Sequence, residues 1–183
     1  MMTVEHHICK GDHIESSLTV NLVKHCQGWP DDWMKRASDS VRLGFAMALA
    51  SEGTAEVTLV AGDDALLVEL NSRYRNKSGP TNVLSFPSGI GAGMSFPEGA
   101  EESVYLGDIV LAQETIMREA STWSKKTEDH VVHLAVHGLL HLLGFHHDEA
   151  GPATHMESME KHILHHLGIA DPYTASPSGK TIL

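Results

Sequence analysis

The stretch that decides the fold is HLAVHGLLHLLGFHHDE, residues His133–Glu149, which places five histidines among a run of leucines. It continues the segment TEDHVVHLAVHGLLHLLG, which reads as a largely apolar helix with Thr127 as its N-cap. Gly144 is expected to end this helix, because glycine readily adopts the left-handed conformation common after helix C-termini. The last two of the five histidines, His146 and His147, follow almost at once.

A pattern of three histidines runs through this segment. His137 and His141 are four residues apart, so on a helix their rings lie on one face, about 6 Å apart along the axis. The turn at Gly144 is expected to bring His147 back toward that face. Three imidazoles with an open fourth position are typical of a catalytic zinc site, whereas Mg²⁺ and Ca²⁺ prefer oxygen ligands. The pattern predicts one Zn²⁺ per chain, bound by His137, His141 and His147.

Other histidines nearby have alternative interpretations. His133 lies one turn earlier on the same face. It is predicted either to contact and orient one of the ligands without binding the metal, or to pack in the core. His146 adjoins His147 and competes with it as the third ligand. Four histidines of the last predicted helix have the spacing of a solvated face: His155, His162, His165 and His166.

The residue after the first ligand bears on the class of reaction. In zinc peptidases of the H-E-x-x-H type it is a glutamate that acts as general base, and here it is Gly138. Glycine cannot carry a proton, and we expect it to leave space beside the metal. The ligand frame resembles that of the metzincin peptidases, but the base that peptide hydrolysis needs is missing.

Strand and helix patterns alternate along the rest of the chain. Strands are predicted at 17–23, 55–61, 81–87 and 104–112, and helices at 31–51, 65–75, 113–124, 127–144 and 153–168. Asp63 or Asp64 is expected to cap the second helix. This order predicts a single α+β domain, zincin-like, with a four-stranded mixed sheet and about five helices. We expect the domain to span residues 17–168, between a flexible N-terminal tail at 1–16 and a flexible C-terminal tail at 169–183.

Composition restricts the function classes. Hydrophobic residues make up 42% and charged residues 20% of the 183, as in ordinary globular domains, and no apolar run is long enough to span a membrane. The first residues lack a secretory signal pattern, so a cytoplasmic location is expected. The net charge of −11 argues against nonspecific binding to nucleic acid, which draws on many Lys and Arg contacts.

The motif HGLLHLLGFHH resembles that of the YbeY endoribonuclease family, H-G-x-L-H-L-x-G-[YF]-D-H. Two further stretches agree in order and at family-like spacing, ELNSRYRNKSGPTNVLSFP (Glu69–Pro87) and LGDIVLA (Leu106–Ala112). The likeness runs from about Val57 to Gly168, and the remainder matches only in general character.

The resemblance implies a zinc-dependent endoribonuclease, a hydrolase of ester bonds, that cleaves single-stranded RNA. It implies roles in 16S rRNA 3′-end maturation and in late-stage 70S ribosome quality control, with the ribosome or small-subunit proteins as partners. His137, His141 and His147 correspond to the family's ligands, with His137 also catalytic, and an arginine important in the family corresponds to Arg75.

Several residues are expected to surround this centre. Arg75 can meet the negative charge that develops on a phosphodiester with a bidentate fork. Asp108 lies in an apolar strand, where an unpaired charge is costly, so we expect it to bond the backbone or a histidine, with a general base as the alternative. Neutral hydrogen bonds at the cleft wall are expected from Thr81, Asn82 and Ser85.

One position departs from the family motif. The aspartate before the last histidine is His146 here, and Asp148 is a possible substitute. The sequence leaves open whether water or a ribose 2′-hydroxyl attacks the phosphate. Two other classes remain open, a zinc-dependent peptidase or amidase and a ribosome-assembly factor whose zinc is structural, with four protein ligands.

Overall fold

The computed structural model describes residues 16–49, 53–89, 103–146 and 152–173. The strands are β1 (Ser16–Lys24), β2 (Gly53–Gly62), β3 (Val83–Pro87) and β4 (Val104–Ala112). The helices are α1 (Asp31–Ala48), α2 (Asp64–Arg75), α3 (Gln113–Thr122), α4 (Thr127–Leu142) and α5 (Pro152–His166).

The strands form one mixed sheet in the order β1-β2-β4-β3. Strand β2 is parallel to both β1 and β4, and β3 is antiparallel to β4. Over the described ranges, this confirms the predicted single α+β domain with a four-stranded mixed sheet and five helices. None of the helices in these ranges has the length and hydropathy that crossing a membrane requires.

Helix α4 lies at the centre of the packing. Its sheet-facing side joins the main core with α1, and its outer side packs against α5, where Val136 and Leu140 meet Ile163. Every residue from His130 to Leu140 is consequently buried. Because α4 is covered on all sides, the histidines His130, His133 and His137 are enclosed in the fold together with its apolar residues. Helix α2 belongs to a third apolar cluster, made by Leu67, Leu84, Val110 and Ala112.

The helix ends follow the sequence signals with one shift. Asp63 caps α2 by accepting a hydrogen bond from the Leu66 amide at 2.8 Å. Helix α4 already includes Thr127, so its N-cap is Lys126, which makes no side-chain capping bond. Gly144 has a φ of +87°, the left-handed conformation expected where this helix ends.

The two expected tails are described only in part. Residues 1–15 and 174–183 lie outside the described ranges, and Ser16 begins β1. Residues 169–173, assigned to the C-terminal tail from sequence, pack against the domain. Ile169 is buried, its amide bonds to the Leu164 carbonyl at 2.9 Å, and Lys125 Nζ donates to the carbonyl oxygen of Pro172 at 2.9 Å. Apolar burial after α5 therefore extends the packed chain to at least residue 173.

Candidate metal centre

The structure brings two of the predicted metal ligands together. The ring centroids of His137 and His141 lie 4.6 Å apart, with an angle of 81° between the ring planes. His147 lies outside the described residues, and among those described no cluster of three ligand-type side chains occurs. The described part of the centre is thus a histidine pair on the buried helix α4.

Each ring of this pair is held through its Nδ1 atom. His137 Nδ1 lies 3.2 Å from Oε1 of Glu160, and His141 Nδ1 lies 3.0 Å from the carbonyl oxygen of Phe145. A carboxylate and a carbonyl oxygen only accept, so in the neutral form of each ring Nδ1 carries the proton and Nε2 the lone pair. A metal-binding histidine needs one nitrogen's lone pair and commonly donates from the other nitrogen to such an acceptor. The pair therefore fits Zn²⁺ binding through Nε2.

Glu160 is a buried carboxylate that the sequence analysis did not single out. It is fully buried on α5, and its Oε1 atom also lies 3.0 Å from Nε2 of His133. Burial alone would raise the pKa of Glu160, but the neighbouring His133 and His137 hold this pKa below its ordinary value. Its position offered a signal: it lies four residues after Met156 and three before Ile163, in the apolar stripe of α5.

Tyr173 and His133 complete the surroundings of Glu160. The Tyr173 hydroxyl donates to Oε2 of Glu160. Burial and the Glu160 charge raise the pKa of Tyr173, so the hydroxyl keeps its proton. The contact of His133 with Glu160 is close but not aligned as a hydrogen bond. The His133 ring centroid lies 6.4 Å from that of His137, so His133 stands beside the carboxylate that contacts His137.

A small cleft joins the histidine pair to the predicted phosphate-binding side chains. It has a volume of about 60 Å³ and is lined by Arg75, Thr81, Asn82, Val83, Ser85, His137 and His141. Arg75 is exposed at the end of α2 and, within the described ranges, makes no ion pair. Arg73, two residues before Arg75 on the same helix, forms an ion pair instead. Its Nη2 atom lies 3.7 Å from Oε1 of Glu69. Helix α2 therefore presents one guanidinium at the cleft and pairs the other.

The polar residues of β3 and the preceding turn hold the cleft wall in place. The Asn82 amide nitrogen donates to Glu119 at 3.0 Å, and its oxygen accepts from the Val83 amide at 2.7 Å. Ser85 Oγ donates to the Gly138 carbonyl oxygen at 3.1 Å. Both side chains already bond the protein, so their described role is to fix β3 against α3 and α4. Thr81 is half-buried in the same wall.

The structure corrects the interpretation of Gly138. A Cβ atom there would lie 2.7 Å from Cγ2 of Ile109 and 3.0 Å from Oγ of Ser85. Glycine is required because α4 packs closely on β3 and β4, so it does not leave space beside the metal. The same packing excludes a glutamate in the position that carries the base of the zinc peptidases.

Asp108 also differs from its expected role. Its Oδ1 atom accepts a hydrogen bond from the Tyr105 hydroxyl at 2.8 Å, and that hydroxyl lies 2.8 Å from Thr58 Oγ1. The next residue, Ile109, faces α4 beneath Gly138. Successive strand residues point to opposite faces of a sheet, so Asp108 faces away from the histidine pair. Its partner is a tyrosine because polar side chains share this face of the sheet.

The remaining histidines divide between the surface and a second buried contact. His146 is exposed, with its ring centroid 6.2 Å from that of His141. His130 is buried near the start of α4, and its Nε2 atom lies 2.8 Å from Oε2 of Glu119. The predicted surface histidines of α5 are exposed: His155, His162, His165 and His166.

The fold and site define an α+β domain that carries an oriented histidine pair on a buried helix, beside an exposed arginine. A family model described as "Endoribonuclease YbeY" matches residues 20–168. The chain belongs to this family, as the sequence motifs indicated.

Relatives and a solved structure agree with this assignment. "Endoribonuclease YbeY" of Parvibaculum lavamentivorans is 45% identical over 175 residues, which cover 90% of each chain. The protein of the same name from Dichelobacter nodosus is 42% identical over 160 residues, covering 86% of this chain and 99% of the relative. The solution structure of TM1509 from Thermotoga maritima shares the fold, with a TM-score of 0.50 and 17% sequence identity. The match covers 89% of this chain and 100% of the TM1509 chain.

Proposed function

We propose that this protein is a zinc-dependent endoribonuclease that hydrolyses phosphodiester bonds in single-stranded RNA. The observation that carries the proposal is the cleft in which Arg75 on α2 meets His137 and His141 on α4. The name that the relatives carry supports RNA as the substrate.

The histidine pair would hold the metal through Nε2, with His147 proposed as the third ligand. When bound, zinc would lower the pKa of a coordinated water to about 7 and polarise a phosphoryl oxygen. Glu160 and the Phe145 carbonyl supply the acceptors that keep His137 and His141 in the ligand tautomer.

Arg75 is proposed to bind the scissile phosphate. Its guanidinium is exposed at the cleft, and among the described side chains no carboxylate lies within ion-pair distance of it. A guanidinium can donate two parallel hydrogen bonds to phosphate oxygens and stabilise the negative charge that develops during attack. Because the whole chain carries a net charge of −11, RNA binding must depend on such local cations.

Two observations disfavour the other candidate classes. The close packing at Gly138 leaves no room for the glutamate base of an H-E-x-x-H peptidase. His133 directs its Nε2 atom toward Glu160, which disfavours it as the fourth ligand of a structural zinc.

The proposed cellular role follows from family membership. We propose that the protein acts in the cytoplasm on the 3′ end of 16S rRNA and in late-stage 70S ribosome quality control. The ribosome or small-subunit proteins would be its partners. Incubating the purified protein with small subunits that carry unprocessed 16S rRNA should yield the mature 3′ end, and unchanged ends would count against this role.

The activity itself is tested with three substrates and a chelator. The purified chain should cleave an unstructured RNA oligonucleotide, spare the same RNA annealed to its complement, and spare casein. Chelation should stop cleavage and added Zn²⁺ should restore it. Casein hydrolysis would support the peptidase class instead, and RNA cleavage that survives complete metal removal would contradict the mechanism.

A further inference from the structure

We infer that Glu160 and Tyr173 form a positioning pair that sets the orientation and tautomer of His137, and through it the metal affinity of the centre. The inference rests on the metal site of the proposed function. It assigns a role in that site to Tyr173, which follows α5 in the chain.

The burial and contacts of Glu160 carry the first step. The carboxylate is fully buried and reaches from α5 to α4, where its Oε1 atom lies 3.2 Å from His137 Nδ1. Its Oε2 atom accepts from the Tyr173 hydroxyl. A carboxylate buried in this way persists only when its oxygens are satisfied. Because Tyr173 engages one oxygen, the other is directed at the α4 histidines.

Tyr173 is itself fixed by contacts that do not use its hydroxyl. Its amide donates to Asp171 Oδ1 at 2.9 Å, and Lys161 Nζ lies 4.9 Å from the centroid of its ring. The preceding residue, Pro172, is buried. Removing the hydroxyl alone should therefore leave residues 171–173 in place and remove only the hydrogen bond to Glu160.

Glu119 provides a matched control on the same helix. It contacts Nε2 of His130 at 2.8 Å, so the histidines of α4 contact two different carboxylates, Glu119 and Glu160. His130 does not line the cleft that contains His137 and His141. Replacing Glu119 with glutamine makes the same chemical change as at Glu160 but away from the proposed ligands.

The first test measures the dissociation constant for Zn²⁺ by competition with a chelator, using the full chain. Outer carboxylates of metal-binding histidines typically contribute about 10–100-fold in affinity. We expect Glu160→Gln to weaken binding within that range and Tyr173→Phe to weaken it by a smaller factor, because Tyr173 acts only through Glu160. Glu119→Gln should match the wild type.

The outcomes separate this inference from the proposed function. A wild-type chain that binds no Zn²⁺ would contradict the metal site and the positioning pair together. If the wild type binds Zn²⁺ but Glu160→Gln and Tyr173→Phe bind it equally tightly, the metal site stands and the role of the positioning pair is contradicted. RNA cleavage is not read in this test, so its absence would not alter the result.

A second measurement needs neither metal nor activity. Long-range ¹H–¹⁵N correlation spectra of the metal-free chain report which ring nitrogen of each histidine carries the proton. His137 should be protonated at Nδ1 in the wild type and in Glu119→Gln, and should populate both tautomers in Tyr173→Phe. Tyr173→Phe also covers the case in which Glu160→Gln fails to fold. An unchanged His137 tautomer in folded Tyr173→Phe would overturn the inference.

Discussion

Helix α4 places buried imidazoles against two carboxylates, Glu119 near its start and Glu160 further along, and the two sites serve different ends. Near its start, His130 contacts Glu119 of α3, and the His130 ring packs edge-on against Trp123 with centroids 5.4 Å apart. Seven residues later, His137 contacts Glu160 of α5, and the His137 ring lies beside that of His141. The carboxylate of Glu119 is about a quarter exposed, at 24%, whereas that of Glu160 is fully enclosed.

The difference teaches that the neighbours of a buried histidine decide its use. At His137 a second imidazole lies one turn away and an arginine stands across the cleft, so the oriented ring can take part in chemistry. At His130 the carboxylate is shared with the Asn82 amide, and the contact ties α3 to the cleft wall.

Removing either cleft histidine should abolish the centre. His137→Ala and His141→Ala are each expected to lose bound Zn²⁺ and RNA cleavage together, because each supplies one of only three proposed ligands. Metal analysis and an assay on unstructured RNA check both quantities. His130→Ala is the matched control and should retain Zn²⁺ if it folds. Wild-type cleavage by His141→Ala would break the contrast.

Arg75 should matter for cleavage and not for metal binding. Arg75→Ala is expected to keep Zn²⁺ and to lower kcat by about 100-fold, the usual cost of losing one donor that stabilises developing charge. Arg73→Ala tests a neighbouring cation that is already paired with Glu69, and it should reduce the rate only slightly. Equal losses in the two variants would show that general charge, and not position at the cleft, explains the effect.

Gly138→Ala should destabilise the fold through overpacking. The new methyl would lie 2.7 Å from Ile109 Cγ2, and crowding of a packed core costs about 1–3 kcal/mol. Gly44→Ala in α1 is the control, because its methyl would meet the Leu139 side chain at 3.2 Å and alanine favours helices. Urea unfolding measures both. A neutral Gly138→Ala would contradict the proposed reason for this glycine.

The His130 contact should appear as a pH dependence of stability. Burial lowers the pKa of His130 from its ordinary value of 6.5, against the opposing effect of Glu119, while His133 and Lys125 lower it further. Below that ordinary value the unfolded chain binds a proton that the folded chain resists, so stability is lost as pH falls through about 6.5.

A glutamine at position 130 removes this titration. The free energy of unfolding of His130→Gln should fall less than that of the wild type between about pH 7.5 and 5. His162→Gln, at an exposed site on α5, should follow the wild type. Identical curves for His130→Gln and the wild type would mean that His130 takes up its proton as readily in the folded state.

The sequence predicted what depends on local pattern. Alternation and helical spacing predicted the four strands and five helices, and Gly144 correctly indicated the end of α4. The approach of Arg75 to the histidines was predicted through the family motifs, and the structure places them around one cleft.

What the sequence could not provide are contacts between elements distant in the chain. Glu160 reaches His137 over 23 residues, and the packing of Ile109 under Gly138 depends on how closely a helix approaches the sheet. Asp108 was misread because its side of the strand was unknown until the sheet register was fixed. Such relations are set by tertiary packing and leave only weak traces in sequence, such as a glutamate within an apolar stripe.

We propose that His137 and His141, fixed through Nδ1, present Nε2 to one metal ion. The most direct test is a crystal structure of the Zn²⁺-loaded chain with anomalous data at the zinc edge. We expect a single strong peak about 2.0–2.1 Å from Nε2 of His137, His141 and His147, with a solvent-filled fourth position. A peak bound through Nδ1, a fourth protein ligand, or a zinc ion elsewhere on the chain would contradict it.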